Sequence, residues 1–301
     1  MERVLVTGGS GFLGSRLKLE KPDWVYVSSK DFDLTKQYYA RGMFYEIKPD
    51  AVVHLAGKVG GIKDNSKNQE EYFFYNTAIN TNVVRCAVEA RVPRLLATLS
   101  TCAFPDNLRN YPFTEDDIFY GPPAKTNFSY GYSKRMLHVQ CISCREQHGL
   151  NYSTFAPSNI YGPGDDFNSE KSHFVAALVS KLYKAREGET VEFWGTGKPL
   201  RQQLYVDDLV KIIPILLEKH NTDIPLIVSP SENLSVSRMV DTLLSRIQKG
   251  VKIKYNAELD GQFRKDGSNK KLLNLLGDFN FTNFEDGIYK TYEWYQERAK
   301  K

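Results

Sequence analysis

The chain has 301 residues, 41% of them hydrophobic and 25% charged, enough for one large or two smaller globular domains with a sizeable core. Forty Lys and Arg against 36 Asp and Glu leave a net charge of +4, without a polybasic run for nucleic acid or an apolar stretch long enough for a membrane. Four cysteines are too few for a disulfide framework, and a strand-like run begins at Val4 where a leader would lie, so a reducing, cytoplasmic setting is expected.

Short apolar runs alternate with helical patterns through the first half. Strands are expected at Arg3–Thr7, Trp24–Ser28, Ala51–Leu55, Arg94–Leu99 and Tyr152–Ala156. Helices are expected at Phe12–Leu19, Lys36–Ile47, Gln69–Ala90 and Ser129–His148. This alternation predicts a doubly wound parallel sheet with crossover helices. The second half is less regular, with helices expected at Ser172–Arg186, Asp207–His220, Val236–Ile247 and Asn283–Ala299. Short strands are expected near Val191–Trp194, Gln203–Val206, Leu226–Val228 and Val251–Tyr255. The Gly/Pro cluster at Tyr161-Gly162-Pro163-Gly164 is the best boundary. It divides a dinucleotide-binding domain, 1–165, from a smaller α/β substrate domain, 166–301, with segments near 202–229 free to return to the first.

The first strand runs into Thr7-Gly8-Gly9-Ser10-Gly11-Phe12-Leu13-Gly14, followed by a helical pattern. Gly9, Gly11 and Gly14 satisfy G-x-G-x-x-G. Such a loop turns tightly, lets backbone approach a pyrophosphate and packs the helix against the sheet. The phosphates then meet amides at a helix N-terminus. At the end of the second strand, Ser28-Ser29-Lys30-Asp31 places a cation where an extra 2′-phosphate would sit, which favours NADP(H) over NAD; Asp31 keeps NAD open.

Tyr130 and Lys134 stand four apart on one predicted helix face. An ammonium beside a phenol is expected to lower the phenol's pKa and make it a usable acid. The fourth strand ends in Ser100-Thr101-Cys102, at the carboxyl edge where open α/β sheets bind ligands, and Ser100 there can hold a substrate oxygen.

The glycine loop, the serine and Tyr-x-x-x-Lys, in this order, resemble the extended short-chain dehydrogenase/reductases, which implies a Rossmann-like fold. Longer segments resemble the GDP-L-fucose synthase family within them. These are His54–Ile62, Ser100–Asp106, Tyr130–Met136, Asn159–Pro163, Ser172-His173, Trp194–Gln202 and Asp260–Lys265, spread over essentially the whole chain. The resemblance implies a bifunctional enzyme that epimerises GDP-4-keto-6-deoxy-D-mannose at C3 and C5 and then reduces C4 with NADPH. It implies Cys102 as base and His173 as acid. Ser100 and Tyr130 would polarise the C4 oxygen, and Lys134 would assist Tyr130. Around the cofactor it implies Gly8 to Gly14, Leu55, Ala56 and Gly57, then Pro157, Asn159 and Ile160, with Lys134 and His173. For the GDP-sugar it implies Lys181, Trp194, Arg201 and Asp260, and a homodimer is expected through Gln69–Ala90 and Ser129–His148. Taken alone, Cys102 would be read as a small buried apolar residue and His173 as a neighbour of a helix start.

The sequence departs from the family's pattern at Gly164-Asp165-Asp166, where His-Asp-Asn is usual, at Gly57, usually alanine, and at Ser158, usually threonine. Cys141-Ile142-Ser143-Cys144 falls inside a helical run without a second pair and reads as packing, so no metal site is expected. A 4-epimerase or 4,6-dehydratase of the same fold is the competing enzyme, although a dehydratase would want an acid where Cys102 stands. A non-catalytic dinucleotide sensor is the competitor of another class, and intact Ser100, Tyr130 and Lys134 speak against it.

Overall fold

The computed structural model describes residues 3–168, 172–256 and 262–300. The first half runs β1 (Val4–Thr7), α1 (Phe12–Glu20), β2 (Val25–Val27), α2 (Gln37–Ile47), β3 (Ala51–His54), α3 (Ile62–Lys67), α4 (Gln69–Glu89), β4 (Arg94–Thr98), α5 (Phe128–His148) and β5 (Asn151–Pro157). Then follow β6 (Asn159–Tyr161), α6 (Phe174–Lys184), β7 (Thr190–Trp194), β8 (Leu200–Arg201), β9 (Gln203–Tyr205) and α7 (Val206–Lys219). The chain continues with β10 (Leu226–Val228), β11 (Leu234–Ser235), α8 (Val236–Ile247), β12 (Lys252–Asn256), α9 (Lys270–Leu276) and α10 (Phe284–Ala299).

Six strands form one parallel sheet in the order β2-β1-β3-β4-β5-β10. From β1 the chain steps one way to β2, then returns to place β3 on the other side, so a crevice opens beyond the carboxyl ends of β1 and β3. Strand alternation divides the core between the two faces. Leu5, Val52 and Leu95 meet Met43, Phe44, Val83 and Leu137 from α2, α4 and α5. Val6, Val53 and Leu96 meet Leu17, Leu209 and Ile213 from α1 and α7. A third cluster, built from Leu178 and Leu182 of α6, Phe193 of β7, Leu243 of α8 and Ile288 of α10, lies in the second half.

The expected first-half elements are all present, with ends shifted by at most one residue. The second half differs more. Its short strands make three two-stranded sheets, β7 with β12, β6 with β9 and β8 with β11, while β10 joins the large sheet. The sequence reading missed β6, β8 and β11 because strands of two or three residues carry no period, and missed α3 and α9 because a six- or seven-residue helix scarcely shows one.

Arg94, buried at the start of β4, has no carboxylate partner among the described residues; its guanidinium donates to the carbonyls of Leu216, Leu217 and His220 at the end of α7, to the Asn151 carbonyl and side chain, and to Ser153 Oγ. A cation suits the negative end of a helix, and burial pulls this one down only to about 10. Arg94→Ala strands several buried carbonyls and is expected to lose at least about 2 kcal/mol of stability in denaturant unfolding. A loss below about 0.5 kcal/mol would show that the helix end is held by packing alone.

Candidate active site

The loop after β1 turns at Gly8, whose φ of +77° is left-handed and whose absent Cβ would lie 2.8 Å from the Ala56 backbone nitrogen. A Cβ on Gly14 would collide with the Gly8 carbonyl and come 2.8 Å from Gly9 Cα. The α1 N-terminus, at Gly11, has neither a side-chain cap nor an acidic residue in its first turn. These features fit a dinucleotide pyrophosphate: an unhindered backbone cradle and an uncapped positive helix end at the sheet's crevice. The same cradle includes Ser10, Phe12 and Leu13.

Beside it, Leu55, Ala56 and Gly57 leave β3, with the Ala56 amide donating to Thr7 Oγ1. A Cβ on Gly57 would stand 2.7 Å from Asn76 Oδ1, and Asn76 holds both the amide and the carbonyl of Lys58. Glycine at this departure from the family pattern thus makes room for Asn76. Pro157 ends β5, and Asn159 and Ile160 lie half-buried in β6 against β9. At the end of β2, the Asp31 carboxylate accepts from the amide and hydroxyl of Ser28, while Lys30 is exposed.

Ser100 follows β4 and caps a short turn, Thr101–Ala103, by accepting from the Cys102 amide at 3.1 Å. Tyr130 and Lys134 are buried on α5, the Lys134 ammonium 5.9 Å from the Tyr130 ring centre and donating to the Thr98 carbonyl at 3.0 Å. Here the expected acidification of the phenol is not what the geometry produces. Burial holds Tyr130 well above the ordinary tyrosine range, the neighbouring Cys102 adds to this, and a Ser100 hydrogen bond opposes it. Tyr130 is therefore a neutral phenol at pH 7. Burial alone lowers Lys134 to about 8. Behind it, His54 bridges Thr7 Oγ1 and Asn80 Oδ1, and burial with the Lys134 charge keeps it neutral, near 3.

Cys102 behaves oppositely. Burial disfavours its thiolate, but the Lys265 ammonium at 2.8 Å, with hydrogen bonds from Ser100 and Asn127, outweighs burial and brings the thiol below its ordinary value. His173, at the start of α6, has Nδ1 3.9 Å from the buried Asp165 carboxylate. Burial opposes its charge, yet Asp165 and Cys102 raise its pKa overall. The interaction reaching from Cys102 to both Tyr130 and His173 places the three in one cluster. Gly164, where the family carries histidine, has a φ of +95°, a conformation that favours glycine and turns the chain into Asp165.

The residues implied for the sugar nucleotide lie in the second half. Lys181 of α6 donates to the Glu192 carbonyl at 2.7 Å and stands 5.1 Å from the centre of Phe193, so its ammonium is already engaged with β7. Trp194, at the end of β7, is half exposed and has Lys63 of α3 above its ring at 5.5 Å. Arg201 in β8 donates to the Leu200 carbonyl. Asp260 lies outside the described residues. Lys265, Asp165 and Asn127 were not singled out by sequence reasoning, although Lys265 closes the family-like segment that begins at Asp260. Cys141 packs in the core with its thiol pushed up by burial, as does the half-buried Cys144, so neither has the character of a reactive thiol.

A parallel sheet with a glycine cradle at its switch point and a Ser, Tyr, Lys set at its carboxyl edge defines a nucleotide-dependent short-chain dehydrogenase/reductase. Residues 4–229 match the NAD dependent epimerase/dehydratase family, and the chain belongs to it. Full-length relatives narrow the group. A GDP-L-fucose synthase of Dictyostelium discoideum is 37% identical over 99% of this chain and 97% of its own. One from Escherichia coli is 29% identical over 100% and 98%. A GDP-L-fucose synthetase structure from Naegleria fowleri, bound to NADP, superposes with a TM-score of 0.89 at 32% identity, covering 99% of this chain and 94% of that one. Among the described residues no helix is long and apolar enough to cross a membrane.

Proposed function

We propose that the protein converts GDP-4-keto-6-deoxy-D-mannose to GDP-L-fucose, by epimerisation at C3 and C5 followed by reduction at C4. The observation that carries this reading is the Cys102 thiol with its cation, clustered with His173 and Tyr130. A simple 4-reductase or 4-epimerase needs the Ser, Tyr and Lys groups; a base and an acid in addition are what inversion of two carbon centres requires. The names carried by the full-length relatives support the same substrate.

On this reading residues 1–165, with the returning segment near 202–229, hold NADP(H) and the remainder holds the nucleotide sugar. Gly8 to Gly14 take the pyrophosphate, and Lys30 takes the 2′-phosphate, since Asp31 is folded onto Ser28. Leu55 to Gly57, Pro157, Asn159 and Ile160 line the remaining length of the cofactor, and Lys134 and His173 flank its reactive end. When bound, NADPH supplies the hydride for C4. Ser100 and Tyr130 donate hydrogen bonds to the C4 oxygen and stabilise the enolate formed as Cys102 Sγ removes the proton at C3 or C5. His173 returns a proton on the opposite face. Tyr130, kept neutral by burial, then gives its phenolic proton to the C4 alkoxide, and Lys134 stabilises the phenolate left behind. Arg201 and Lys181 are assigned to the diphosphate, Trp194 to the sugar or base, and Asp260 to hydroxyls.

A homodimer belongs to the same reading. The packed helices α4 and α5 expose Phe73, Phe74, Tyr75, Phe128 and Val139, large apolar groups that suit a second copy.

With the ketosugar as substrate at about pH 6–8, NADPH absorbance is expected to fall by one equivalent per sugar. Lys30→Ala is expected to raise KM for NADPH at least ~10-fold while leaving NADH use little changed, as the loss of one phosphate contact predicts. Flat absorbance rules out the activity; equal effects on the two cofactors rule out the role of Lys30. Sedimentation is expected to show a dimer that Phe74→Asp dissociates. A monomeric wild-type protein would remove that interface.

A further inference from the structure

Cys102 and Lys265 are 163 positions apart, yet the ammonium lies 2.8 Å from the sulfur. The segment that carries Lys265 is pinned on both sides. Gln262 donates to the Asp106 carbonyl behind β4, and the Phe113 and Ser268 amides donate across to Asp266 and Phe113 carbonyls. On the other side Leu200 of β8 donates to the Phe263 carbonyl, while the Gln202 side chain bonds both the amide and the carbonyl of Gly267. The carboxylate next to Lys265 in the chain, Asp266, is occupied by Arg264 through hydrogen bonds of 2.6 and 2.9 Å. The ammonium is thereby left for the sulfur.

We propose that Lys265 is the positioning residue for Cys102: its ammonium pairs with the sulfur at 2.8 Å and fixes it beside Ser100, Tyr130 and His173. This rests on the reading of Cys102 as the base. Among the described residues, the titratable groups facing the sulfur are Tyr130 from α5, His173 from the start of α6 and Lys265 itself, with Ser100 and Asn127 as hydrogen-bonding neighbours. Tyr130 is neutral, and His173 is biased towards its charged form by Asp165, so the cluster favours a negative sulfur opposite a positive imidazole. An unassisted thiol is only a few per cent thiolate at pH 7. In each epimerisation the thiolate takes the carbon's proton as the C–H pair moves towards the C4 oxygen, and the imidazolium delivers its proton to the opposite face. Thiol and neutral imidazole then return to the starting state through solvent, one losing a proton and the other gaining one. The ammonium of Lys265 remains unchanged throughout.

The test needs no substrate. The full-length protein is alkylated with iodoacetamide across about pH 5–10, and modification at each cysteine is followed by peptide mass spectrometry, with half-buried Cys144 as internal reference. Cys102 in the wild type is expected to react with a midpoint below the ordinary thiol value and below that of Cys144. Lys265→Met is expected to raise the Cys102 midpoint by about one unit, slowing modification at pH 7 by up to about 10-fold, with Cys144 unmoved, and Lys265→Arg to restore most of the rate. A wild-type midpoint at or above the ordinary thiol value overturns the pairing by itself, whatever the variants do. An unchanged profile in Lys265→Met does the same. If Cys102→Ser keeps full turnover, the base role fails while the pairing stands, so the two failures are distinguishable.

Discussion

The site depends on one crossing of the chain. Segment 262–268 lies between β8 and Gln202, in the second half, and the loop after β4, in the first, and it is hydrogen-bonded to both sides along its length. Ser100, Cys102, Tyr130 and Lys134, at the carboxyl end of β4 and on α5, come from the first half. His173 and Lys265 come from the second. If the crossing were slack, the only cation within hydrogen-bonding distance of the Cys102 sulfur among the described residues would be lost, and burial would push the thiol up like Cys141 and Cys144.

Burial acts on all the ionisable groups of the site in the same sense, disfavouring charge, and their different behaviour comes from their partners. Among the described residues Tyr130 has no cation within hydrogen-bonding reach; Lys134 spends a hydrogen bond on the Thr98 carbonyl. The phenol consequently holds its proton, which suits a donor. Cys102 has Lys265, and His173 has Asp165, so both are biased towards their charged forms. One pocket wall can thus carry two proton devices of opposite character: a thiolate with an imidazolium for moving protons on carbon, and a neutral phenol with a lysine for protonating oxygen.

Much of this was legible in the sequence because it is local. The glycine cradle lies within eight residues, the Tyr130–Lys134 pair within one helical turn, and the first-half strands each show an apolar run that the sheet requires. What was not legible is what sequence distance conceals. Lys265 looked like the end of a matching segment, and nothing in its surroundings indicated a sulfur 163 positions away. Asp165 sits inside a segment that departs from the family pattern, and nothing in its sequence surroundings indicated that its carboxylate lies 3.9 Å from His173 Nδ1. The direction of the Tyr130 shift was misjudged for a related reason: a helical spacing of four brings Lys134 near the ring, but the ammonium's partner is set by β4, which periodicity does not reveal.

Solvent exchange in the absence of reductant tests most directly whether this wall moves protons on carbon. The protein is incubated in deuterated water with oxidised cofactor and GDP-4-keto-6-deoxy-D-mannose, and the sugar is followed by NMR. The expected result is deuterium at both C3 and C5 with the C4 ketone intact, and loss of that uptake in Cys102→Ser. Failure of the wild-type protein to incorporate deuterium, or undiminished incorporation by Cys102→Ser, would contradict it.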